Sequence, residues 1–269
     1  MCGERLVRDA PSGTMDDVSF EVSADAYGRF MGRFSRPLAE QFVDLVGVEP
    51  GQRVLDVGCG SGALTAALVS RVGVDRVCAV DPSESFVEVV RSAYPSMDVH
   101  RSGAESLPFP ARSFDVVLAQ LVVHFMTDPV TGIAEMARTT TPGGVVAASV
   151  WDHAGHKGPL SAFWSAARSL DPSAPDESDL PGVAEGHLAE LFAVAGLTDV
   201  ASSSLTVTVE HPSFDDWWDP FTLGVGPAGA YVTSLDDAAR DALRDRCRQT
   251  LPNAPFRTRA TAWTALAHV

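Results

Sequence analysis

The sequence predicts a doubly wound α/β fold: a mostly parallel sheet with helices on both faces and an antiparallel edge. Three observations predict it. Short apolar, β-branched runs recur between residues 54 and 151, helix-period segments separate them, and a glycine-rich turn at Gly58, Gly60 and Gly62 follows the first run. Strands that alternate with helices build parallel βαβ units joined by right-handed crossovers.

The elements follow in order. "RPLAEQFVDLV" carries Leu38, Phe42, Leu45 and Val46 at helical spacing, with Pro37 acceptable in a first turn. The turn "EPGQ" leads into the strand "RVLDV". After the glycines, "ALTAALVSRV" reads as a helix and "RVCAVD" as a second buried strand. Ser83 is placed to N-cap "SESFVEVVRSAY", which runs to Pro95. "MDVHR" and "SFDVVLAQ" are the third and fourth strands, "DPVTGIAEMARTT" a helix ended by Pro142–Gly144, and "VVAASVW" the fifth strand.

Beyond Trp151 the alternation loosens. "GPLSAFWSAARSL" and "EGHLAELFAVAGL" read as helices around a Pro- and Asp-rich loop. "TDVASSSLTVTVEH" and the final "RATAWTALAHV" supply strand material for the antiparallel edge, and "SFDDWWDPF" and "DDAARDALRDRCRQTL" lie between them. No linker separates a second unit. The reading is one domain over 25–269, with a core at about 50–151 and cap elements at about 25–48 and 152–235. Residues 1–24 form a polar tail within which Met15 is an alternative start.

Bulk properties exclude several functions. The net charge of −15 repels phosphate backbones and anionic lipid, so neither nucleic acid nor membrane surface is an expected partner. The four cysteines, Cys2, Cys59, Cys78 and Cys247, have neither CxxC spacing nor a paired framework. They fit a reducing cytoplasm and argue against a disulfide scaffold or a zinc site. His153 and His156 in "WDHAGH" lack the acids or thiols of a metal site and read as a loop.

The glycine turn stands where open α/β sheets bind ligands, at the carboxyl end of a strand. Asp81 closes the second strand 19 residues after Gly62, where a carboxylate can take both hydroxyls of a ribose. Gly58-Cys-Gly60-Ser-Gly62-Ala63 also satisfies the dinucleotide pattern G-x-G-x-x-A. Two details oppose a dinucleotide. Asp56, at the mouth, would repel a pyrophosphate and suits an ammonium or sulfonium ligand, and Gly62 opens room beside the backbone.

"VLDVGCGSG" resembles motif I of the class I S-adenosylmethionine (SAM)-dependent methyltransferases, and "VCAVDPSE" their second-strand acid. "GAESLPFPARSFDVVLAQLVVHFMTDP" and "EMARTTTPGGVVAASVW" resemble the blocks that follow, so the likeness covers about 50–151 in order. "YGRFMGRFSRPLAEQF" and "FDDWWDPF" resemble a small-molecule branch related to the ubiquinone/menaquinone C-methyltransferase type, methyltransferase type 11-like. The resemblance implies a seven-stranded Rossmann-like sheet and SAM as cofactor. It puts Gly58, Gly60 and Gly62 around the methionine part, Asp56 on the amino group, Asp81 on the ribose and Pro82 and Ser83 beside adenine. Gln120 would offer its carbonyl to the ammonium.

Relatives carry an Asp-Ala pair before "LPF" that bonds adenine. This chain has Gly103-Ala104-Glu105, which leaves the task to the Ala104 backbone or Glu105. His124 matches the first residue of a common His-His pair, and Phe125 replaces the second. His124, His153 and Tyr27 are the candidate bases if the acceptor is a hydroxyl; a satisfied core histidine is the competing reading of His124. Phe30, Met31 and Phe34, like Trp151, Trp164, Trp217 and Trp218, read first as packing. The predicted activity is methyl transfer to a small, partly hydrophobic acceptor by in-line displacement, in a monomer or homodimer. The alternatives are an NAD(P)-dependent oxidoreductase, which would want a Tyr-x-x-x-Lys that the chain lacks, and a protein that binds SAM or S-adenosylhomocysteine (SAH) without turnover.

Overall fold

A computed structural model describes residue 28 and residues 30–269; the expected tail and Tyr27 lie outside the described residues. The strands are β1 (Val54–Val57), β2 (Val77–Asp81), β3 (Asp98–Arg101), β4 (Phe114–Gln120), β5 (Thr140–Trp151), β6 (Ala201–His211) and β7 (Phe256–His268). They form one sheet in the order β3-β2-β1-β4-β5-β7-β6. β1 to β5 pair in parallel, whereas β7 is antiparallel to both β5 and β6. The expected seven-stranded sheet with an antiparallel edge is therefore present.

The central strands are buried on both faces, which explains their continuous apolar runs. Strand parity divides their side chains between two layers. Val54, Val116 and Leu118 face the layer of α1 (Gly32–Val46), α2 (Ala63–Val72) and α3 (Glu84–Ala93). Leu55, Val117 and Ala119 face α4 (Pro129–Thr139) and α6 (His187–Val194). Asp56 and Gln120 share the parity of the first group, a point that matters below.

Local signals mostly set the helix ends. Asp128 caps α4 by accepting from the Thr131 N–H at 3.0 Å, and Pro129 occupies the first turn. α1 ends at Gly47, whose φ of 72° makes the left-handed cap. In α1 the buried stripe is Leu38, Ala39, Phe42, Val43 and Val46. Leu45 is exposed, because helical rotation carries it to the edge of that stripe. β5 starts earlier than "VVAASVW" suggested. Thr140 pairs with Phe114, and Gly143 and Gly144 exchange backbone bonds with Val269, so the Pro-Gly-Gly segment is a bulge within the strand, with Gly143 at φ +80°.

The rear segments build a second core at the carboxyl edge of the sheet. It joins α5 (Ser161–Leu170), α7 (Phe214–Trp218), α8 (Gly226–Ser234) and α9 (Asp237–Thr250) with Phe30 and the 219–223 turn. Phe163 and Phe221 stack with centroids 4.5 Å apart and planes 9° from parallel. Trp164, Trp217 and Trp218 are buried in the same cluster, and Trp151 packs edge-on to Phe34. Truncation of a fully buried ring here leaves a cavity, so Phe163→Ala should cost about 3–5 kcal/mol, read as a lower urea midpoint at unchanged m-value.

Candidate functional site

The strand order reverses between β1 and β4: helices after β1 and β4 leave for opposite faces and open a crevice. A cavity of about 430 Å³ lies there. Its lining includes Gly58, Gly60, Asp81, Pro82, Ser83 and Gln120. The first-strand turn, the second-strand acid and the end of the fourth strand, predicted separately from sequence, meet at one wall.

Two glycines explain the shape of that wall. A Cβ on Gly58 would stand 2.4 Å from Val122 Cγ2, and the residue sits at φ +74°; no other residue type fits. Gly60, at φ +51°, has nothing within 4 Å of its Cβ position and so faces open space. The Gly58 and Cys59 N–H groups donate to Val80 O at 2.8 and 3.0 Å, which ties the turn to β2.

Asp81 is the organising acid. Its Oδ2 accepts from Gly60 N and its Oδ1 from Ser83 N, each at 2.9 Å. Burial raises its carboxyl above the ordinary value, and these two amides oppose the shift. The Cys59 thiol is raised well above its usual range by burial and by the Asp56 and Asp81 charges, which makes it a packing group rather than a nucleophile.

Asp56 departs from the expectation that it faces the mouth. Its strand parity turns it toward α2, beneath the turn and outside the cavity lining, where Thr65 Oγ1 donates to its Oδ2 at 2.6 Å. Its Oδ1 is buried without a partner. Burial, with Asp81 adding to it and Thr65 opposing, lifts its carboxyl from 3.8 to about 7. Gly62 caps α2 from the same hidden side, with Val90 3.5 Å from its Cβ position.

Gln120 faces α1, as its parity requires. Its Nε2 donates to Ser35 O at 3.1 Å, and its Oε1 is buried with no partner. Ser35 Oγ, from another lining residue, is also unpartnered. Buried polar atoms without partners are costly and mark places where a ligand completes the bonding.

Ala104 and Glu105 lie outside this lining. Ala104 is packed against the Gly132 and Met126 corner of the core, and Glu105 Oε1 accepts from Asp128 N at 3.3 Å. The far wall is made instead by Pro82, Ser83, Ser85, Phe86 and Arg101. Sequence reasoning also missed Ser35, Leu121 and Val122. Leu121, at φ +63°, is a non-glycine residue in the left-handed region, held by its N–H to Ser149 O at 2.8 Å. Such backbone strain concentrates at functional sites, and no residue-type signal announces it.

Leu121 and Phe125 belong also to a second, smaller chamber of about 40 Å³, with Phe30, Trp151, His124 and His153 in its lining. The two imidazole centroids are 6.0 Å apart. Burial holds His124 well below the usual imidazole value, with His153 adding to it, and its Nδ1 has no partner. Burial also lowers His153, against the opposing pull of Glu177, Asp152 and Asp176. Both rings are therefore neutral near pH 7. Among the described residues no His, Cys, Asp or Glu group is arranged to hold a metal ion, and no helix is long and apolar enough to cross a membrane.

Residues 55–148 match the family model described as "Methyltransferase domain". The chain is 34% identical over 147 residues to a demethylmenaquinone methyltransferase of Renibacterium salmoninarum, covering 54% of this chain and 60% of that protein. It is 32% identical over 135 residues to the aklanonic acid methyltransferase DauC of Streptomyces sp., covering 48% and 61%. The chain thus spans about three-fifths of the length of these curated relatives. Among solved structures, the YcgJ protein of Bacillus subtilis superposes with a TM-score of 0.55 at 21% identity, over 86% of this chain and 98% of that one. That likeness shows the fold.

The buried Asp56 sets a pH signature. Its carboxyl is protonated in the folded protein up to about pH 7, while the unfolded chain ionises near 3.8. The folded state thus binds the extra proton between these values, and stability falls as pH rises through that window. Relative to Asp56→Asn, the ligand-free wild type should lose roughly 1.4 kcal/mol per pH unit between about pH 4 and 7 and then level off. Paired urea titrations across that range check it.

Proposed function

We propose that residues 55–148 form a class I SAM-dependent methyltransferase core and that this chain transfers a methyl group to a small, partly hydrophobic acceptor. The observation that carries the reading is the pairing of two cavities through Leu121 and Phe125: one lined by the glycine turn, Asp81 and Gln120, the other mostly apolar and aromatic. Relatives named for demethylmenaquinone and aklanonic acid support a small-molecule acceptor.

The residues fit the cofactor. The Asp81 carboxylate suits two ribose hydroxyls, and the unpartnered Gln120 Oε1 suits an ammonium. The open face of Gly60 admits close approach to the backbone. A bound ammonium would favour the ionised form of Asp56 beneath the turn and draw support from it. Pro82 and Ser83 take the adenine side, with Phe86 in place of the family acid. SAM, when bound, supplies an activated methyl group on a sulfonium leaving group.

What remains for the protein is position, water exclusion and a proton acceptor. The strained Leu121 and the Phe125 ring stand between the two spaces and fix where the acceptor can approach. For a hydroxyl acceptor, neutral His124 and His153 are proton acceptors within the chamber, because burial keeps both unprotonated. For an activated ring carbon they serve as hydrogen-bonding groups.

Calorimetry with SAM, SAH and NAD tests the premise, and turnover of radiolabelled SAM over a phenol and quinol panel tests the activity. Asp81→Ala should weaken SAM binding by about 10- to 1000-fold, the loss of one or two charge-assisted hydrogen bonds. Tight NAD binding without SAM heat would overturn the reading; SAM binding without turnover on any acceptor would favour a binding protein.

A further inference from the structure

The acceptor chamber shares part of its wall with a third space. His153 and Glu177 line both the chamber and an outer cavity of about 830 Å³ whose wall includes Trp164, Arg168 and Asp176. Three cavities therefore run in series: cofactor space, chamber, outer cavity. The first neck is Leu121 with Phe125, and the second is His153 with Glu177. A chamber of about 40 Å³ admits only the reacting end of an acceptor, and the adjoining outer cavity has the volume to hold its body.

Glu177 is a deeply buried acid, 3% exposed, at this second neck. The Trp164 indole N–H donates to its Oε2 at 3.1 Å and fixes the carboxylate. Two cations of the flanking segments are engaged by other acids: Arg168 pairs with Asp176, and Lys157 with Asp152 at 3.4 Å. Among the described residues lining the chamber none is lysine or arginine. Its remaining polar groups are the imidazoles and the Trp151 indole, and His124 Nδ1 and Trp151 Nε1 are both buried without a partner. A buried acid beside unsatisfied nitrogen atoms, in a space otherwise apolar, marks a site whose polar complement arrives with a ligand.

We propose that Glu177 is a specificity-determining residue of this acceptor site: it binds a hydroxyl or ammonium group of a neutral or cationic acceptor and rejects carboxylates. The inference rests on the methyltransferase reading, since it assigns the chamber to the acceptor. An acceptor carrying a carboxylate to this neck meets like charge in a water-poor space, with no lysine or arginine in the chamber lining to compensate. An acceptor with a hydrogen-bond donor completes the Glu177 carboxylate instead.

Three phenols of one ring size separate the cases: tyramine, tyrosol and 4-hydroxyphenylacetate, cationic, neutral and anionic. Binding of each to the SAH-loaded protein is measured by ligand-observed NMR at millimolar concentration. Tyramine and tyrosol should each bind at least about tenfold more tightly than 4-hydroxyphenylacetate. Glu177→Gln, whose amide oxygen still accepts from Trp164, should reduce that ratio to within about threefold while leaving SAH affinity unchanged. The ranking in the wild-type protein needs no variant and stands as an independent measurement. Equal or tighter binding of the carboxylate, a ratio unmoved in a folded Glu177→Gln protein, or binding of none of the three with SAH retained overturns the assignment. Loss of SAH binding by the wild type overturns the methyltransferase reading itself, a distinguishable failure.

Discussion

The close approach of Val122 to Gly58 is the constraint on which the site depends. At the point where the strand order reverses, the chain leaving β4 crosses directly over the chain leaving β1, and a Cβ at Gly58 would collide with it at 2.4 Å. Glycine makes the crossing feasible, and the crossing brings Gln120 and Leu121 onto the same wall as Gly60 and Asp81. Backbone bonds from Gly58 and Cys59 to Val80, and from Gly60 to the Asp81 carboxylate, then lock the ends of β1 and β2 together. Three strand ends become one rigid surface, as preorganised binding requires.

Around this surface the molecule concentrates unsatisfied polarity. Asp56 Oδ1, Gln120 Oε1, Ser35 Oγ, His124 Nδ1 and Trp151 Nε1 are all buried without partners. Ser149 Oγ, Asp152 Oδ2, Arg244 Nε and Trp263 Nε1 likewise lack hydrogen-bond partners outside the two linings, whereas His211 is satisfied by Thr258 and Asp216. Such atoms are costly, and those in the cavity linings, Gln120 Oε1, Ser35 Oγ, His124 Nδ1 and Trp151 Nε1, are placed for a ligand to complete. The aromatic core of α5, α7 and α8 supports this arrangement by placing Phe30 and Trp164 beside the chamber and its outer neck.

Much of the fold was legible in the sequence because its signals are local. The runs "VLDV" and "VCAVD" are continuous and apolar since both faces of a central parallel strand are covered. Glycine spacing and the acid 19 residues later located the ligand wall. Position within the site was harder to read. Asp56 sits two residues before the first glycine, yet parity turns it into the α1–α2 layer; Glu105 was a candidate by proximity to a motif, yet its carboxylate is engaged by Asp128 N. In both cases chain position and side-chain direction diverge.

The sequence by itself determined the sheet, the glycine turn and the two acids, since hydrophobic period, backbone freedom and charge are properties of residues and their near neighbours. The tertiary structure alone decided the positive φ of Leu121, the unpaired Gln120 carbonyl and the meeting of His124, His153 and Glu177 around one chamber. Those features join segments from three separate regions of the chain. Their chemistry comes from exclusion of water and from what each atom fails to touch, and neither is encoded at any single position.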